Sequence, residues 1–242
     1  MKSNNSAAFR AQYAQFLVRQ KQYDEALALT FEKADGTDPA RDALAVIRIL
    51  TAVASQGEGQ PSRGAAAEKF ATDIGASQPG NVPLLLELGV LRLMQGRAPD
   101  ALKLFESAQK RSPANPAVLN NLALAQLESP DRRHEALATI DKALAFAPQS
   151  AELLDSKALI LIGAGRYQEA REILDQLCRT QTRNPRLRLH LAIALFQLRD
   201  EPGSRSNAAQ ATDDGLEKEL LTPSERRLWR QIANQVAGVT AK

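Results

Sequence analysis

Small residues recur along this chain with a period of 34. Within residues 82–115, Gly89 is followed twelve positions later by Ala101, seven later by Ala108 and five later by Pro113. Ala123, Ala136, Ala143 and Pro148 repeat the pattern, with one residue inserted near Ser129-Pro130-Asp131. Ala158 and Ala170 carry it forward, with Leu177 and Thr182 in the last two places, and Ser55, Ala67, Ile74 and Pro79 carry it back. Near the start Ala14 and Ala26 keep the spacing of twelve, followed by Lys33 where a small residue is expected. In architectures with such a period each repeat is one supersecondary unit that cannot bury its apolar face alone, and stacked neighbours supply the core.

Each unit reads as two helices. Leu84, Leu85, Leu88, Leu91 and Leu93 give a first helix its apolar recurrence, Gln95-Gly96-Arg97 makes a turn, and Ala101, Leu102, Leu104, Phe105 and Ala108 line a second helix. Pro113 then ends it. Gly89, Ala101 and their equivalents sit where two helices cross closely, so a larger side chain there should cost about 1–3 kcal/mol through overpacking.

With these residues in view, the chain resembles the tetratricopeptide repeat (TPR) family, whose unit is 34 residues with small residues in both helices and a closing proline. Gly163-Ala164-Gly165-Arg166-Tyr167-Gln168-Glu169-Ala170 is similar to that family's turn into its second helix, and Lys21-Gln22-Tyr23-Asp24-Glu25-Ala26-Leu27 repeats it. The expected fold is all-α, a right-handed superhelical solenoid of antiparallel helix pairs spanning residues 1–242 as one domain. The approximate repeats are 7–38, 39–81, 82–115, 116–150, 151–184 and 185–221. Asp38-Pro39 looks like a cap and first helical residue opening a helix to about Gln56, followed by a loop from Gly57 to Pro61. Thr222-Pro223-Ser224-Glu225 reads as a further helix start, with Leu228, Trp229, Ile232 and Val236 at helical spacing, so residues 223–237 are expected to cap the last repeat.

Composition excludes several classes. At 44% hydrophobic residues the chain can bury a core, and at 5% aromatic it is poorly suited to sheets. Thirty-one Lys plus Arg against 28 Asp plus Glu leave a net charge of only +3, which gives no support to nucleic-acid binding. Arg179, Arg183, Arg186 and Arg188 are the densest basic cluster and read as a solvated turn. The single Cys178 excludes an intramolecular disulfide and reads as a small buried hydrophobe. Met1 to Gln20 lack the apolar core of an export signal, and Ala43 to Ala54, split by Arg48, is too short for a membrane span. The chain as it stands is therefore expected in the cytoplasm, without membrane insertion.

No enzyme motif for phosphate, metal or acyl chemistry is present, and two histidines, His134 and His190, with one cysteine assemble no metal site, so neither catalysis nor a cofactor is expected. A Cys178–His190 pair is set aside in favour of packing roles for both, as is an exposed binding role for Trp229.

The resemblance implies that first helices line a concave groove. By spacing, its lining would be Leu86, Val90 and Leu93, then Asn120, Asn121, Leu124 and Leu127, then Asp155, Leu159 and Ile162, then Leu189, His190, Ile193 and Phe196. An apolar floor of this kind suits an amphipathic helix or an extended apolar segment of another protein, unless the chain's own terminus fills it. Asn120 and Asn121 are placed to hold a peptide backbone. Some TPR domains grip chaperone C-termini with a carboxylate clamp of Lys, Asn and Arg. The corresponding positions here include Leu86, Val90, Asn121, Glu152 and Ser156, of which only the asparagine fits, so no such binding is expected. A structural role, as a self-associating subunit or part of a longer solenoid, is the second reading. From Asn184-Pro185-Arg186-Leu187-Arg188-Leu189-His190-Leu191-Ala192 to Trp229 the chain looks like the C-terminal end of bacterial TPR proteins of cell-surface exopolysaccharide and protein-sorting systems. That likeness would imply a longer protein in the periplasm or at a membrane.

Overall fold

The computed structural model describes residues 7–32, 37–56 and 61–235, and every regular element among them is helical. The chain divides into two compact units, Met1–Ser112 and Pro113–Lys242. The first holds α1 (Ala7–Arg19), α2 (Tyr23–Leu27, continued as a π-helical turn Ala28–Glu32), α3 (Pro39–Gln56), α4 (Gly64–Ser77), α5 (Val82–Met94) and α6 (Ala98–Arg111). The second holds α7 (Pro116–Glu128), α8 (Ala136–Phe146), α9 (Ala151–Gly163), α10 (Tyr167–Thr180), α11 (Pro185–Gln197), α12 (Glu201–Asp213) and α13 (Pro223–Gln235). The expected Asp38 cap is present, its Oδ1 accepting from the Arg41 N–H at 3.1 Å. Lys33, residues 57–60 of the expected loop, and Val236 lie outside the described residues.

Local chemistry starts and stops these helices at regular places. Asn115 accepts from the N–H groups of Ala117 and Val118 ahead of Pro116, and Asn184 accepts from those of Arg186 and Leu187 ahead of Pro185. Asn81 and Ser150 do the same for α5 and α9. Each satisfies amides that a first helical turn leaves unpaired. The turn from first to second helix is one motif used four times. The Gln22, Arg97, Arg166 and Asp200 N–H groups reach back to the carbonyls of Leu17, Arg92, Leu161 and Leu195 at 2.8–3.0 Å. The residue before each is left-handed: Gly96 (φ 73°) and Gly165 (φ 76°), but also Lys21 (φ 60°) and Arg199 (φ 65°). The insertion at Ser129-Pro130-Asp131 is absorbed by a 3-10 turn, Pro130–Glu135, before α8 begins.

The recurring small residues lie where helices touch. Ala26, Ala67, Ala101, Ala108, Ala123, Ala136, Ala143, Ala158 and Ala170 are fully buried and Ala14 nearly so. A Cβ on Gly89 would stand 2.3 Å from Phe105 Cε1, so only glycine lets α5 and α6 close on that ring. Pro113 and Pro148 are exposed just beyond the ends of α6 and α8. In the first unit the core runs from Ala14 and Leu17 through Val46, Ile47 and Leu50 to Leu84, Leu88 and Leu91. Across it, Glu68 on α4 pairs with Arg92 and, at 3.1 Å, with Arg97, and Arg92 donates to Thr72 Oγ1 at 3.0 Å. In the second unit one cluster joins α7, α8 and α9 through Leu119, Ile140 and Leu153. Another runs through Leu174, Leu187 and Leu191 to Ala208, Leu216 and Ile232, with Trp229 packed against it. Cys178 belongs to that second core, and burial pushes its thiol up from the ordinary value.

Candidate functional site

Within the second unit the first turn of α13 meets α7 and α11, and α11 in turn ties it to α9. Thr222-Pro223-Ser224-Glu225 forms a reciprocal cap: the Glu225 N–H donates to Thr222 Oγ1 at 3.2 Å, and the Thr222 N–H donates to Glu225 Oε2 at 2.7 Å. One carboxylate oxygen is thereby committed to the start of its own helix. The other, Oε1, lies 2.8 Å from His190 Nε2 and 3.0 Å from Arg186 Nη2, both on α11. Arg186 and His190 are four residues apart on that helix and so share a face. His190 Nδ1 is 2.6 Å from Asp155 Oδ1 on α9, and Arg186 also donates from Nη1 to the Leu220 carbonyl at 3.4 Å. One residue before Glu225, Ser224 Oγ donates to Glu128 Oε2 at 2.6 Å, at the end of α7.

His190 and Glu225 are fully buried, yet the four charges compensate one another. Burial works against a charged imidazole, but the Asp155 and Glu225 carboxylates outweigh it and raise His190 to about 9. Burial likewise favours a neutral Glu225, but Arg186, His190 and the Thr222 N–H lower it to about 2. As an imidazolium His190 donates from both nitrogens, which matches a carboxylate on each side. Both ring nitrogens are thus engaged by carboxylates, and the Cys178–His190 pair set aside above does not form.

The structure redistributes the positions expected along the groove. Asp155 and His190 come together as described. Leu93, Leu127, Leu159, Ile162, Leu189 and Ile193 are 8% exposed or less, inside helix packing, so their assignment to an open apolar floor is corrected. A first helix flanked by its own partner helix and by neighbouring first helices is covered on more sides than its periodicity reveals. Asn120 is buried too, and its Nδ2 donates to Glu152 Oε1 at 3.4 Å, so it does not join Asn121 as a peptide-holding pair. Half-buried are Asn121, Leu124, Asp155 and Phe196 in the second unit, and Leu86 and Val90 in the first. Of the four clustered arginines, Arg179 and Arg183 are exposed, whereas Arg186 turns in to Glu225 and Arg188 Nη1 donates to Asn207 Oδ1 at 3.0 Å. Arg186, Thr222, Ser224 and Glu225 were missed as a group; the only trace of it in the sequence is the capped start at Thr222.

Two Tetratricopeptide repeat models match residues 92–160 and 156–215, together just over half of the chain. The chain belongs to the tetratricopeptide repeat family. It is similar in structure to TTC0263, a thermophilic TPR protein of Thermus thermophilus, at 18% identity and a TM-score of 0.62, over 81% of this chain and 97% of that one. A tetratricopeptide repeat protein from Parabacteroides merdae gives 15% identity and a TM-score of 0.62 over 96% and 93%. PilW, a type IV pilus biogenesis factor, gives 16% and 0.54 over 99% and 89%. These likenesses establish the all-α TPR-like solenoid fold. No curated protein matches the chain. Among the described residues of this TPR chain, no helix is long and apolar enough to cross a membrane, and no group of three or more His, Cys, Asp or Glu side chains is arranged to hold a metal ion.

Proposed function

We propose that this chain is a protein-interaction scaffold that holds a helical segment of a partner against its first helices. TPR proteins generally mediate protein–protein interaction and are generally non-enzymatic. The observation that supports a helical ligand is the seating of α13, whose first turn touches α7 through Ser224 and α11 through Glu225, with Asp155 of α9 behind His190. The half-buried Asn121, Leu124 and Phe196 on two of those same helices are the side chains we assign to the partner. Chaperone tails and nucleic acid are not proposed as ligands. The test is affinity capture from source-cell lysate with the wild-type chain and an Asn121→Arg, Leu124→Glu variant of unchanged helicity. A protein retained by the first and lost by the second supports this reading; identical captures would overturn it.

A second reading, a self-associating or assembly subunit of a cell-surface or secretion-related system, is favoured by α1. Phe9, Tyr13 and Phe16 are each 42–50% exposed there, with adjacent rings stacked at 6.1 and 6.0 Å. Mass that rises with concentration in light scattering, and falls back in Tyr13→Ser, Phe16→Ser, would support it.

A further inference from the structure

α13 rests on the second core through Ile232, Leu228 and Trp229, and its first turn is fastened by polar groups. Of its described side chains only Ile232 and Glu225 are buried, Leu228 and Trp229 are half-buried, and Arg227, Arg230 and Gln231 face solvent. The first turn is held in one ionic seat, and the geometry of that seat is selective on three counts. The carboxylate presents a single oxygen to His190 Nε2 and Arg186 Nη2, while its second oxygen is occupied by the backbone N–H of Thr222. The acid must therefore lie three residues after the cap of its own helix. The hydroxyl just before it must be there to reach Glu128. An extended acidic tail would leave that second oxygen without its donor and Glu128 without its hydroxyl, so the seat discriminates against it.

The seat also outlasts the departure of α13. Asp155 holds His190 through Nδ1 and stands 3.9 Å from Arg186 Nε, and none of these three groups is on α13. With Glu225 removed, His190 Nε2 and Arg186 Nη2 lose their shared acceptor, while Asp155 and, further out, Glu219 still act on Arg186, so the two vacated donors favour an incoming acid.

Resting on the scaffold reading above, we propose that α13 is a built-in competitor for the face formed by α7 and α11, which Asp155 of α9 backs through His190. The partner that displaces it is a helix start of the same chemistry: a Ser or Thr cap followed three residues later by Glu or Asp, with a hydroxyl residue just before the acid. Its carboxylate enters the Arg186–His190 seat and its hydroxyl meets Glu128. The exchange breaks and makes the same bonds, so it is governed by competition between the segments.

The experiment uses the full chain and a fluorescein-labelled peptide of residues 219–235 carrying Trp229→Phe, read by anisotropy, while the chain's one tryptophan, Trp229, reports on its own α13. A Glu225→Gln chain should bind the peptide about thirtyfold or more tightly than the wild-type chain, because its own helix has lost a buried charge partner. Its Trp229 emission should already be shifted to the red. The same change in the peptide should abolish binding to both chains. Should the Glu225→Gln chain lose helicity, a Ser224→Ala chain, which lacks only the hydroxyl bond to Glu128, replaces it, with a preference of about fivefold over wild type expected. Equal affinity for the weakened and wild-type chains, or full affinity of the Gln peptide, would overturn the proposal. Failure here leaves the lysate result with the Asn121→Arg, Leu124→Glu variant unchanged, whereas failure of the scaffold reading appears only in that capture.

Discussion

Ser224 on α13 donates its hydroxyl to Glu128 on α7 at 2.6 Å, a tie between residues 96 positions apart. Because the bond is part-buried and its acceptor is charged, Ser224→Ala should lower the stability of the second unit by about 1 kcal/mol. Denaturant unfolding followed by Trp229 emission measures it, and an unchanged midpoint would show that the bond contributes nothing.

Removing the central cation of the buried group should be far more damaging. In His190→Leu, Asp155 and Glu225 keep their negative charges on either side of an apolar side chain, with only Arg186 left to oppose them. Leaving buried charges without a partner costs about 3–5 kcal/mol. A loss below about 1 kcal/mol in urea unfolding would mean that the group is solvated in solution, contrary to its burial here.

The same group makes stability depend on pH in a definite sense. His190 is raised from 6.5 to about 9, so its contribution is fully present below pH 6.5 and is lost as pH rises through about 9. Glu225 is lowered from 4.5 to about 2, so its contribution is fully present above pH 4.5 and is lost as pH falls through about 2. Docking of α13 should therefore be strongest between pH 4.5 and 6.5, and Trp229 should report its loosening by pH 9. The high-pH arm should vanish in His190→Leu; its persistence there would assign it to other groups.

In the first unit, Gly89→Val should cost about 1–3 kcal/mol, since the added carbons collide with the buried Phe105 ring. The double variant with Phe105→Leu should be less destabilised than the sum of the two single changes, because both act on one space. Strict additivity in thermal unfolding would show that the helices separate instead of competing for that volume.

Arg199 holds a left-handed backbone, φ 65°, at the turn position that glycine fills at Gly96 and Gly165. Arg199→Gly should stabilise the second unit by about 1 kcal/mol, less glycine's own entropic cost. A lower melting temperature for the variant would show that the arginine side chain contributes more than its backbone strain takes away.

What the sequence determined by itself was everything set by neighbours close along the chain. The spacing from Gly89 to Ala101 to Ala108 was legible because each small residue answers to a helix crossing inside its own repeat, and the starts at Asp38-Pro39 and Thr222-Pro223 because capping is decided within one turn. What only the tertiary structure decided was how many sides of each first helix are covered. Leu189 and Ile193 looked like groove lining because a periodic pattern marks an apolar face without counting the helices that will press on it. The Asp155–His190–Glu225 arrangement was out of reach for a related reason. Its members stand 35 residues apart in each direction, and an acid or a base on a helix looks the same in sequence whether water or another charge will face it. Folding removes the water and brings the opposite charge near, and only then do ordinary side chains become a buried, mutually dependent group.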